Sequence, residues 1–219
     1  MFAEFDWKLV IDSVPHLWEG MQITLMLTVL AIFGGIIIGT ALALLRLSPF
    51  KTASFAAGSY VNFFRSMPLI LVIFWFYFLV PIIVGRPVGG FYSVLIAFVL
   101  FEAAYYCEII RAGIQSVRQG QVYAGQALGL TYRQNMRYVV LPQAFRNMVP
   151  ILLTQAIILF QDTSLVYVVG VKDFLVSADL IANRENRLIE MFTVVAAVYF
   201  ILCLTGSLFV KRLQRKYAL

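Results

Sequence analysis

Gly20 to Leu45 is an uncharged run of 26 residues, closed by Arg46. A helix rises 1.5 Å per residue, so about 20 apolar residues cross the hydrocarbon of a bilayer, and this run spans it with length left for tilt. Within lipid a single segment can satisfy its backbone only as a helix, which closes all its hydrogen bonds internally. The rest of the chain agrees. Of 219 residues, 62% are hydrophobic and 13% charged, where a soluble domain carries about 25% charge. Such a chain cannot cover a water-facing surface, and the expected fold class is an all-α integral membrane protein. Residues 1–219 form one transmembrane domain with no room for an appended soluble one.

The N-terminal MFAEFDWKLVIDSV carries Glu4, Asp6 and Asp12 and no basic leader, so it does not read as a signal peptide. The first apolar helix is therefore expected to stay as an anchor. Five spans are expected, at about 21–45, 56–80, 91–113, 144–168 and 191–210. Gly34, Gly35 and Gly39 in the first form a small-residue face suited to close helix packing. Pro68 is expected to bend the second span, and Pro81 with Gly85-Arg86-Pro87 to make the loop after it. Residues 170–190 read as a charged, loop-forming connection.

Five spans put the termini on opposite sides, and basic residues orient them. One side collects Arg46, Lys51, Arg65, Arg111, Arg118, Arg133, Arg137, Arg146, Lys211, Arg212, Arg215 and Lys216; the other has Lys8, Arg86, Lys172, Arg184 and Arg187. The richer side is expected in the cytoplasm, with the N-terminus periplasmic and the C-terminus cytoplasmic. These charges sit in short loops and a tail rather than on one basic face, which argues for the lipid bilayer as partner and against nucleic acid.

Several chemistries are excluded. No G-x-x-x-x-G-K-[ST] run is present, so the chain supplies no nucleotide site of its own. His16 is the one histidine, which removes most hydrolase arrangements and gives a proton relay little support. Cys107 and Cys203 lie in apolar stretches as structural thiols, and no metal-ligand spacing occurs. The ionisable groups at membrane depth are Arg65, Glu102, Glu108 and Asp162. Such groups pair with one another or line an aqueous path. Glu108 reads as the ion-pair partner of Arg111 on the same helical face. Glu102 fits a pathway role and a structural pairing equally well. Asp162-Thr163-Ser164 reads as a set of capping side chains where the helix breaks, or as the lining of the outer half of a path. Arg65 is a candidate attractive charge for an acidic substrate.

The feature that points to function is a polar island, residues 119–142, QGQVYAGQALGLTYRQNMRYVVLP. Ala124, Gly125, Ala127 and Gly129 carry little bulk and let another backbone come close; Gly129 also tolerates a left-handed turn. Thr131 with Gln134 is a capping box opening a second helix, and Pro142 is expected to close it. Helix, glycine break and helix, all outside the hydrocarbon, make a docking element for a cytoplasmic partner. A non-transporting membrane scaffold would not need Glu102 or Asp162 at depth. A gradient-driven carrier would show paired repeats or a denser set of ionisable groups, and neither is visible.

Gly120-Gln121, Tyr123-Ala124-Gly125 and Ala127-Leu128-Gly129-Leu130, followed by Val139-Val140-Leu141-Pro142, resemble the EAA loop of permease subunits of ATP-binding-cassette (ABC) importers, often GQ-x-EAA-x-ALGL in the amino-acid importers. Tyr123 stands where that family usually has Glu, and Gly125 where it has Ala. FRSMPLIL (64–71), FEAAYYCEIIRAGIQSV (101–117), LPQAFRNMVP (141–150) and QDTSLVYVV (161–169) resemble further runs of the polar amino-acid importers, and the whole looks closest to glutamate/aspartate import permeases. The resemblance implies a type I importer (MetI-like) fold in a non-catalytic subunit of the inner membrane. It implies a second permease subunit, two ABC ATPases that bind the ATP, and a periplasmic amino-acid-binding protein. On that basis Gln121, Tyr123, Ala124, Gly125, Ala127, Leu128 and Gly129 are the expected ATPase-coupling residues. ATP-driven closure of the ATPase pair would pull on residues 119–130 and switch the path from inward to outward access.

Overall fold

A computed structural model of the chain describes residues 5–86 and 88–217. Glu4 and Pro87, used above for the N-terminus and the loop, lie outside them, as does the side chain of Lys216. The described elements are helical throughout: α1 (Trp7–Leu47), α2 (Lys51–Arg65), α3 (Leu69–Val84), α4 (Gly90–Gln115), α5 (Gln119–Ala127), α6 (Tyr132–Asn135), α7 (Leu141–Asp162), α8 (Phe174–Glu185) and α9 (Leu188–Tyr217). A π-helical turn, Met136–Val140, joins α6 to α7, and a 3-10 segment, Thr163–Val169, follows α7.

Four stretches are long and apolar enough to cross a membrane: Trp7–Leu47, Gly90–Gln115, Tyr132–Val169 and Leu188–Arg215. The fifth span depends on α2 and α3, which lie across a break bent by 104°. The single bent helix expected at 56–80 is thus two helices. Pro68 has no N–H to continue the ladder and pushes Met67 away from helical angles. Ser66 ends α2 by turning its N–H back onto the Asn62 and Phe63 carbonyls, at 3.0 and 3.2 Å.

Other expected boundaries shift as well. α1 begins well before residue 21, because the polar residues of the N-terminal stretch continue the helix through Pro15. Pro81 lies inside α3 instead of in the loop. Most of the 170–190 connection is α8, capped at its start by Asp173. Pro142 does not close a helix either. The Leu141 N–H bonds the Met136 carbonyl, a five-residue reach, and the Gln143 side chain donates to the Val139 carbonyl at 2.8 Å. The ladder widens by one residue just before the proline, and the helix runs on through it.

The chain forms two compact units. The first takes residues up to Ile32, Leu69–Phe98 and Ala156–Leu208. Its core packs Leu17 and Met21 of α1 against Phe174, Ala178 and Ile181 of α8 and Met191 and Val195 of α9. The Phe174 N–H donates to Thr24 Oγ1 at 3.0 Å, tying the start of α8 to α1. The second unit takes Phe33–Pro68, Val99–Gln155 and the chain from Phe209. Here the glycine face of α1 lies on α4. A Cβ at Gly39 would stand 2.9 Å from the Ala103 carbonyl oxygen, and one at Gly35 2.9 Å from the Tyr106 ring. Large apolar side chains point outward, among them Ile37, Phe55, Ile83 and Phe200. That surface is suited to lipid, where such exposure carries no hydrophobic penalty.

Candidate functional site

α5 is short, uncharged and almost entirely exposed. It ends in a Schellman motif: Gly129 has φ +76°, its N–H bonds the Gln126 carbonyl, and the Leu130 N–H reaches back to the Gly125 carbonyl at 3.1 Å. Thr131 then opens α6 as a reciprocal capping box. Its N–H donates to Gln134 Oε1 at 2.9 Å while its hydroxyl accepts from the Gln134 N–H. These two local devices set the turn between α5 and the long helix that follows.

The expected coupling residues divide by face. Gln121, Tyr123, Ala124, Ala127, Leu128 and Gly129 are exposed, Leu128 at 81% and Tyr123 at 62%. Gly125 is buried on the inner side of α5. Its neighbour is Asn135, a residue sequence reasoning missed. Asn135 is 3% exposed and its Nδ2 donates to the Val122 carbonyl of α5 at 2.8 Å. A Cβ at Gly125 would lie 2.9 Å from Asn135 Cγ. A cleft of ≈ 470 Å³ runs beside this contact, lined by Val117, Val122, Gln126, Tyr132, Met136 and Val140 among others. No acidic residue occurs between Ile109 and Gln161, so the surface around α5 is positive, with Arg137 set over the Tyr138 ring at 5.8 Å.

The pathway candidates fall in both units. In the second, Glu102 is fully buried and accepts from Gln155 Nε2, which stands 3.1 and 3.2 Å from its two oxygens. That joins α4 to α7. Glu108 binds Arg111 Nη2 at 2.6 Å and also Arg46 of α1, a second partner that helix spacing could not reveal. Arg65 is exposed at the end of α2 with its guanidinium 5.5 Å from the Tyr105 ring centroid. In the first unit, Thr163 and Ser164 donate to the Phe160 and Gln161 carbonyls, both at 2.7 Å, where α7 tightens into the 3-10 segment. Asp162 makes no side-chain cap there.

Asp173 caps α8; an Asp directly before the periodic run Phe174–Ile181 is the helix-start signal that marks it in the sequence. Its Oδ1 accepts the Val176 N–H at 2.8 Å, while Oδ2 is buried without a hydrogen-bond partner among the described residues. Burial pushes this carboxyl up to about 6, against the pull of the backbone N–H groups of Val176 and Leu175.

A family model described as "Binding-protein-dependent transport system inner membrane component" matches residues 31–219. The glutamate/aspartate import permease protein GltK of Escherichia coli O157:H7 is 49% identical, over 98% of this chain and 99% of its own length. A crystal structure of an amino acid ABC transporter with histidines superposes with a TM-score of 0.90 at 33% identity, over 96% of this chain and 98% of that one. The inward-facing MetNI methionine ABC transporter superposes at 0.71 with 21% identity, over 90% and 96%, a likeness of fold alone.

Proposed function

The chain belongs to the inner membrane components of binding-protein-dependent transport systems, and from that premise we propose that it is the permease subunit of a glutamate/aspartate importer. Membership makes it a multi-pass, non-catalytic membrane subunit that works with an ATPase and a binding protein. The observation that carries the substrate class is the likeness to the glutamate/aspartate permease, which is 49% identical along nearly the whole of both chains.

In this reading two permease subunits, alike or different, enclose the path, and two ATPases hold the ATP. α5 seats on an ATPase through Gln121, Tyr123, Ala124, Ala127 and Leu128. Tyr123 carries no charge, so docking rests on the close approach that the small residues allow. The binding protein delivers substrate from the periplasm, on the side of the N-terminus. Arg65 supplies a positive charge that attracts an acidic substrate, and Glu102 is buried against Gln155, whose amide occupies both of its oxygens. The test is reconstitution with the partner ATPase and binding protein in proteoliposomes. ATP-dependent uptake of glutamate or aspartate is the expected result, reduced in Arg65→Gln with the complex still assembled. Uptake without ATP, or of neutral amino acids only, overturns it.

A further inference from the structure

We propose that Asn135 and Gly125 are a matched pair, with Asn135 the positioning residue that couples α5 to the membrane helix behind it. The inference rests on reading α5 as the ATPase-docking helix and adds how its motion enters the membrane.

Three observations converge on the pair. Asn135 is the last residue of α6, so it is continuous with the helix that runs through the π turn and α7 to Asp162. Its Nδ2 grips the Val122 carbonyl, and its amide fills the place where Gly125 lacks a side chain. Every other residue of α5 except Val122 is exposed, and the cleft beside the contact is lined by Val122 and Gln126 of α5 and by Met136 and Val140 of the π turn. A pull on α5 is therefore delivered through Asn135 into the 132–162 helix, where Gln155 meets Glu102 of α4. Between the two helices this side chain acts as a strut.

The residue types follow from the geometry. A methyl group at 125 meets the Asn135 amide well inside van der Waals contact, so alanine there requires a smaller residue at 135. This gives the departure at Gly125 a physical reason: the glycine makes room for the asparagine. The Asn135 Oδ1 is buried with no donor among the described residues, so the Nδ2 bond to Val122 is what fixes the amide's orientation.

The experiment compares Gly125→Ala, Asn135→Ala and the double variant in the assembled complex. Two readouts are used: amide hydrogen exchange over residues 119–130, and substrate moved per ATP hydrolysed. Asn135→Ala should speed exchange in α5 about tenfold, as loss of one buried hydrogen bond and its packing predicts. Gly125→Ala should lower uptake per ATP several-fold while hydrolysis continues. The double variant should recover protection and coupling relative to Gly125→Ala, since the methyl then fills the vacated space. Wild-type behaviour of Gly125→Ala, or a double variant no better than it, overturns the pairing. Exchange requires no transport, so a wild-type complex that ignores acidic amino acids would overturn the substrate reading while leaving the exchange comparison to decide the pair.

Discussion

Glu102 and Asp173 show what burial does to a carboxyl in this chain. Glu102 is held by a neutral amide donor, so its contact with Gln155 carries no opposing charge. Asp173 has backbone donors on one oxygen and, among the described residues, no hydrogen-bond partner on the other. Its folded value, about 6, lies above the unfolded value near 3.9, so the folded chain binds this proton more tightly. The stability it contributes is fully present below about pH 4 and is lost as pH rises through about 6. Asparagine caps helices as well as aspartate does. Asp173→Asn should therefore raise the thermal midpoint of the solubilised protein by a few degrees at pH 7 and flatten its change between pH 4 and 7. An unchanged pH profile would show that the Asp173 carboxyl is not the group being titrated.

At the scale of elements, the junctions carry the design. Pro68 separates α2 from α3, whereas Pro142 is absorbed by a π turn and Pro81 and Pro150 sit within helices. Ahead of Pro142 the ladder widens: the Leu141 N–H reaches back to the Met136 carbonyl, and the Gln143 side chain takes the Val139 carbonyl. The turn after α5 depends on Gly129, whose φ of +76° is strained for any β-branched residue. Nothing lies within 4 Å of a Cβ there, so the cost of Gly129→Val is backbone strain alone, about 1–3 kcal/mol. The variant should insert normally and misdirect α5, seen as reduced ATPase co-purification or as hydrolysis without uptake. Full uptake would mean that the direction of α5 does not matter.

For the whole molecule, the distribution of basic residues makes a topological prediction. A reporter fused after Leu219 should be cytoplasmic and one placed near Ser13 periplasmic, as an odd number of spans requires. The bent pair decides this count. If α2 and α3 together cross once, the spans number five; if they do not cross, they number four and both ends face the same side. A C-terminal reporter found outside would overturn the proposed orientation.

The residues alone determined the class of fold, because a 26-residue uncharged run has only the helix available to it in lipid. They also determined the local devices around the island, since a capping box and a left-handed glycine are set by neighbours in the chain. Tertiary structure decided the contacts between elements. Arg46 reaches Glu108, and Gln155 reaches Glu102, across distances in sequence that no helical period encodes. It also decided which face of α5 is inward, and so set Gly125 against Asn135. The physical reason is the same in each case. Local hydrogen bonding is set within a few residues, whereas burial exists only once a second element has come to lie against the first.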